Sequence, residues 1–459
     1  MSYRKLFYVL NFLLLGVFVW AVVKDNDAEW KTYQRTYYEK MATYLDAQAG
    51  QQKDPAQAAK LRAQADEYRR HPLAIKQIIT DGLGRYDRCI TCHVGMDEYE
   101  NPGMTTPFKT QPYAGHPDIA GLVKAHPFEK FGCTVCHEGQ GLATTVADAH
   151  GWVTNWDRPM LTGVHIQGSC VKCHGDFRTL KGAEAAAKGY DLFHQHGCLG
   201  CHSIDGVGGT ISVDLGDIAD KPIPRIAPYN FLRVTIDGKH LEEKDWKIQN
   251  WILGHLVDDP EYVTPNDPFA EDNAEPIAPS PMPDFSKELT RDQADDIVAY
   301  LMGMTKVEED EIPYRYHVAA PPEKEPRFAS AKAHGKYVFE KYGCAGCHGV
   351  DAVAGRRRFN ALGPGQKDYD PKMTKAELFA EMEKGREPTL PDLMSGYDHD
   401  ELVAKIEQGV PPTAAKKWDP NGPLPVVYMP AWKGKISKKE LDDLATWLLS
   451  TAKQQNLGF

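Results

Sequence analysis

The triplet of residue types Cys-x-x-Cys-His occurs five times in this chain of 459 residues. The copies are Cys89, Cys92 and His93; Cys133, Cys136 and His137; Cys170, Cys173 and His174; Cys198, Cys201 and His202; and Cys344, Cys347 and His348. Together they use all ten cysteines. Two thiols one helical turn apart can form thioethers to the two vinyl groups of a haem, and the next residue, His, then lies under the iron as its proximal ligand. The spacing therefore implies five covalently attached c-type haems (haem c) and one-electron redox chemistry. Zinc sites also use Cys-x-x-Cys pairs, but they want the pairs in even number and do not require His after each second Cys. A disulfide scaffold fits no better, because such close pairs belong to redox enzymes rather than to staples.

A haem iron with one protein ligand has a second axial position to fill. Five further histidines stand around the first three motifs: His71, His116, His126, His150 and His165. His116 and His126 each precede Pro, which favours extended backbone suited to projecting a side chain across a haem. His150 follows the second motif by a short loop. These three are the expected distal ligands of the N-terminal irons, ahead of His165 and His71, and of Met96, Met104 and Met160. Which serves which iron is not legible. Met282, flanked by Pro281 and Pro283, and Met429, followed by Pro430, are the expected distal ligands for the two C-terminal motifs. Met302 and Met304 read as core, His194 and His196 as an exposed helix end, and His240, His255, His317, His334 and His399 as surface.

The elements that must position these groups divide the chain into six segments. Residues 1–26 hold Leu6 to Val23, an uncharged stretch long enough to span a bilayer, with Arg4 and Lys5 before it and Asp25, Asp27 and Glu29 after. No small-x-small cleavage site follows, so a retained anchor with its N-terminus in the cytoplasm is expected. Asn11 within it is either a contact to a neighbouring helix or simply tolerated. Residues 27–70 read as a helical stalk with a break at Gln51 to Pro55, whose aromatics, Trp30, Tyr33, Tyr37, Tyr38 and Tyr44, would meet a partner or the membrane interface. Residues 71–180 form a loop-rich triple-haem domain that lacks hydrophobic periodicity and would need its haems as core. Residues 181–305 and 329–459 share a plan: a helix into a motif, a Met beside Pro, then an amphipathic helix (289–304 and 436–450). That is an internal repeat of architecture. Residues 306–328, acidic and Pro-rich, read as a semi-rigid linker. Gly206 to Gly209 follows the fourth motif and reads as a turn beneath the haem edge. The expected fold class is mainly α.

Gly189 and Phe193 before Cys198, with Tyr300 in the later helix, resemble the class I cytochrome c pattern. So do Gly335 and Phe339 before Cys344, with Trp447 later. The resemblance implies two class I cytochrome c domains with Met282 and Met429 in the distal ligand position. The first departs from the pattern by an acidic insertion, Val257 to Phe285, with eight Asp or Glu and no Lys or Arg. Residues 87–175 are similar to the triple-haem part of membrane-anchored multihaem cytochromes that accompany bacterial quinol-oxidising complexes. The carrying residues are Cys89 to Gly95, His126 to Gly141, and Ala149 to Gly151. The anchored five-haem layout also resembles the pentahaem subunit of alternative complex III.

These resemblances imply an electron-transfer subunit of a respiratory complex at the inner (cytoplasmic) membrane, with its haem domains in the periplasm. Its expected donor is a set of integral-membrane quinol-oxidising subunits, and its acceptor a soluble cytochrome or terminal oxidase. A net charge of −11 argues against nucleic acid as partner. The acidic insertion would suit a basic acceptor or would simply be solvated. Catalysis by this chain alone is not expected. The alternatives are a multihaem reductase of nitrite, hydroxylamine or peroxide, and a cytochrome subunit of an oxygen reductase or of an extracellular electron-export system. The reductase reading would need an iron with an open distal position.

Overall fold

The computed structural model describes residues 2–153, 156–222, 235–236, 239–257, 282–283, 285–286, 288–306, 312–322, 326–353, 372, 389–414 and 428–453. Of the acidic insertion, residues 258–281 and 284 lie outside this set, as do 307–311 and 323–325 of the linker. The protein is mainly helical, with three two-stranded hairpins among the described residues. It divides into two compact units, Met1–Leu161 and Thr162–Phe459.

The first unit opens with α1 (Tyr3–Asn26), 24 residues long and with no buried residue. At 1.5 Å per residue it reaches about 36 Å, more than the hydrocarbon thickness of a bilayer. Its length and composition suffice to cross a membrane, and a signal sequence meets the same test. Asn11 is satisfied within the helix, its amide donating to Phe7 O at 2.8 Å. Next come α2 (Glu29–Gln51) and α3 (Pro55–Arg69), packed together. The break falls where expected. Asp54 accepts the Ala56 N–H and Pro55 occupies the first helical position, so the chain restarts as a capped helix. Ala42, Ala49, Ala58 and Ala65 are buried, and their small side chains permit a close approach.

Three of the five α2 aromatics, Trp30, Tyr37 and Tyr38, turn inward, whereas Tyr44 is exposed. Tyr37 and Tyr38 are buried with Met41 and Val94, and Tyr68, Leu73, Phe108 and Tyr113 pack around them. Tyr37 Oη donates to Asn101 at 2.6 Å. Gln34, also buried, donates to Ala74 O and Thr91 O and accepts from Ala74 N. The segment expected to lean wholly on haem thus borrows a protein core from 27–70. Each tyrosine buried there contributes about 2 kcal/mol of apolar transfer. Beyond α3, β1 (Ile78–Thr80) and β2 (Arg85–Asp87) pair antiparallel, with Ile79 opposite Tyr86.

In the second unit, α4 (Glu184–Gln195) crosses α6 (Arg291–Leu301), and α7 (Ala331–Lys341) crosses α9 (Lys438–Leu449). Both later helices carry a capping box, Thr290 with Gln293 and Ser437 with Glu440. Two further helices went unread in the sequence: α5 (Ile248–Val257), buried on nearly every side, and α8 (His399–Gln408). An all-round apolar run such as α5 carries no periodic signal.

Candidate haem sites

All five motifs close the same backbone turn. The His N–H donates to the carbonyl of the first Cys at 2.9 Å in the first, third and fourth copies and at 3.0 Å in the second and fifth. The second Cys N–H donates to the same carbonyl at 3.1–3.3 Å. This closure sets both sulfurs and the imidazole on one short turn, as thioether attachment with proximal ligation requires. All ten cysteines are half-buried and none is in a disulfide. Burial, with Glu29 and Cys89 adding, pushes the Cys92 thiol up to about 11. Burial and Cys347 push Cys344 up to about 12.

In the first unit the structure pairs two proximal with two distal candidates. The ring centres of His93 and His150 are 6.3 Å apart, and those of His116 and His137 are also 6.3 Å apart. Two metal–nitrogen bonds of about 2 Å, each extended by about 1.1 Å from nitrogen to ring centre, span about 6 Å. Both pairs therefore stand at the ring separation that two axial imidazoles of one iron would have. His93 Nδ1 donates to Gln111 Oε1 at 3.1 Å, which leaves Nε2 as the lone-pair nitrogen. His116 Nδ1 is buried without a hydrogen-bond partner. Burial, aided by His116 and His93, pushes His137 down to about 4, and burial also lowers His93 and His116. All three are thus neutral imidazoles at pH 7, the form that ligates. The two motifs touch: the Cys133 thiol is raised first by its contact with Cys89 and then by burial.

The other histidines of this region part company. His126 rests on Phe131, ring centres 5.0 Å apart, and its Nδ1 donates to Leu122 O. His71 stacks on Tyr38 at 4.4 Å, with Nδ1 near Pro72 O and Nε2 near Glu100. His165 spends its Nε2 on Asp295 at 3.0 Å, in the second unit. The third motif also belongs to that unit, so the expected boundary at residue 180 is not where packing divides the chain. A Cβ on Gly168 would meet Ala299 O and Met302 Cβ at 2.7 Å, which shows how closely this segment packs on α6. The linker straps the same motif. Val318 N donates to Cys173 O at 2.7 Å, and Gly175 N to Val318 O at 2.8 Å. His174 Nδ1 lies 3.2 Å from Asp176.

Around the last two motifs the helix crossings depend on glycine. A side chain on Gly189 would collide with Asp296 O, and one on Gly335 with Asp443 O. Phe193, Tyr190 and Phe177 ring Tyr300, while Phe339 meets Trp447 at 4.9 Å. Met429 packs against the core that holds Phe339 and Trp447, and its carbonyl accepts from Val410 N at 2.8 Å. Met282 is half-buried. His202 Nδ1 donates to Val213 O at 2.9 Å. The Gly206–Gly209 turn folds back on its motif, with Gly209 N donating to Leu199 O and His202 O. The cytochrome c family model matches residues 186–305 and 332–452, more than half of the chain. The chain belongs to the cytochrome c family. Neither a curated protein nor a solved structure matches it. Membership carries covalently bound haem c and a haem-based electron-transfer role.

The two cytochrome c domains meet through their motifs. Gly197 and Gly200 lie against Gly346 and Gly343, so close that a Cβ on any of the four would strike opposing backbone. The Cys201 thiol is raised first by its contact with Cys347, then by burial. Several histidines read as exposed are not. His334 is 6% exposed and bonds Asp443 at 2.6 Å. His196 is 7% exposed, beside Phe285 and Glu288. His255 is half-buried, its Nδ1 donates to Trp251 O at 2.8 Å, and burial, with Lys221 and His202 nearby, pushes it down to about 4. Sequence reasoning missed it as a second distal candidate beside Met282; the signal was a lone His in the apolar run of α5.

One charge supports the C-terminal cytochrome c domain at neutral pH and is lost in acid. Burial raises the Glu440 carboxyl, but Lys341 at 2.7 Å and the Ser437 hydroxyl at 2.6 Å outweigh it and hold the group down to about 2. A folded value below the ordinary 4.5 gives stability that is complete above pH 4.5 and lost as pH falls toward 2. Glu440→Gln should remove about 2 kcal/mol at pH 7 and nothing near pH 2. Thermal unfolding of both proteins across that range checks it; equal loss at both ends would refute the role.

Proposed function

We propose that this cytochrome c is the electron-transfer subunit of a membrane respiratory complex, holding five covalent haems between a quinol-oxidising partner and a periplasmic acceptor or terminal oxidase. The observation that carries the reading is the identical closure of all five motif turns. Each haem, when bound, takes up and gives back one electron at its iron. The chain's own residues set the order. The two histidine pairs, His93 with His150 and His137 with His116, favour lower potentials than His/Met ligation, as at His348 with Met429. Both pairs share the unit that begins with α1, the exposed apolar helix. Electrons would thus enter near the membrane and leave through the cytochrome c domains. At the glycine junction, backbone contact between the fourth and fifth motifs keeps insulating side chains out of the path.

Intact mass spectrometry of the detergent-extracted complex tests the reading. The expected chain mass is the polypeptide plus five haems, with integral-membrane subunits co-purifying. Fewer haems, or a chain that purifies without partners from native membranes, would overturn it.

A further inference from the structure

Asp87 ends β2 and is fully buried. Its Oδ2 accepts the N–H of Cys133 at 2.6 Å and of Thr134 at 3.1 Å. From two residues ahead of the first motif it therefore caps the turn that carries the second. Its Oδ1 has no hydrogen-bond partner. Gly132, at φ +69°, and Gly141 flank the carboxylate, and a side chain on either would collide with one of its oxygens. Two side chains are thus forgone to admit one buried acid. A cap alone does not call for a charge, because Asn or Ser accepts the same N–H groups without the desolvation cost. A negative charge held in a low-dielectric interior favours the more positive, oxidised state of a nearby iron.

We propose that Asp87 is a positioning residue that also sets the potential of the second haem site. It fixes the Cys133–His137 turn and holds the reduction potential there down. The inference rests on reading Cys133, Cys136 and His137 as a haem site. The test uses the full-length, detergent-solubilised protein, with intact mass for haem content and a spectroelectrochemical titration for midpoints. Asp87→Asn keeps an acceptor oxygen for the cap and removes the charge. The expected result is an unchanged haem mass with one low midpoint shifted positive and the others in place. Fully loaded D87N with unshifted midpoints overturns the proposal, and so does loss of a haem from D87N, which would reduce Asp87 to a structural cap. Asp87→Ala should lose one haem; full haem content in D87A overturns the positioning role. Wild-type protein without haem on Cys133 and Cys136 would sink the underlying haem reading instead.

Discussion

Replacing His150 with Ala should open the iron held by His93 while leaving the haem attached. The thioethers depend on Cys89 and Cys92, and their turn is closed by its own backbone bonds, so haem content should not change. The distal side should change completely. The rings of His150 and His93 stand at the separation that two axial imidazoles need. One of the low-spin haems should become high-spin, and the reduced protein should bind one more carbon monoxide per chain than the native protein does. The midpoint of that haem should rise, since a donor that favours the oxidised iron is gone. His150→Met should restore the low-spin spectrum at a higher potential. His165→Ala is the control, because its ring is tied to Asp295, and it should leave the spectrum alone. A low-spin, carbon-monoxide-inert H150A protein would break the pairing of His93 with His150.

Gly343→Ala should destabilise the second unit by about 3 kcal/mol and slow exchange between the last two haems. The residue sits at φ +68°, where a side chain strains the backbone, and its Cβ would meet Leu199 C at 2.7 Å and Gly200 Cα at 2.8 Å. Strain and overlap act together here, so relaxing one does not relieve the other. The two motifs must move apart, and Cys347 with them from Cys201. Differential scanning calorimetry should show a melting point lower by several degrees, and flash-induced reduction should show slower equilibration between the two domains. Gly396→Ala provides the comparison, because open space surrounds it and its φ is ordinary. If G343A melts and equilibrates like G396A, the junction carries no energy and no path.

Much of this was legible because the signals are local. A motif that closes its own turn is read from five consecutive residues, and the repeated plan of helix, motif, Met and helix shows in Gly189, Phe193 and Tyr300 as plainly as in Gly335, Phe339 and Trp447. What failed to show depends on distant partners. Nothing in Tyr37 and Tyr38 announces that they will pack on Val94 and Phe108 rather than on another protein. Asp87 gives no hint that its partners lie at Cys133 and Thr134, and Val318 none that it will straddle Cys173 and Gly175. The pairing of histidines is of the same kind. His150 follows the second motif in sequence yet its ring lies beside His93 of the first, so proximity in sequence would have placed it, along with His116, at the second motif.

That nested order, with His93 paired to His150 and His116 to His137, has a consequence for how the chain folds. The segment from His116 to His137 lies wholly inside the segment from His93 to His150, so the two axial closures are nested. Closing a loop costs conformational entropy that grows only with the logarithm of its length, about 0.6 kcal/mol per doubling. Once the inner ring is shut, much of the outer loop is already tied off, and the outer closure works against a shorter effective chain. The inner closure should therefore come first and ease the outer. Loss of His116 should then slow the maturation of both sites, whereas loss of His150 should spare the inner one.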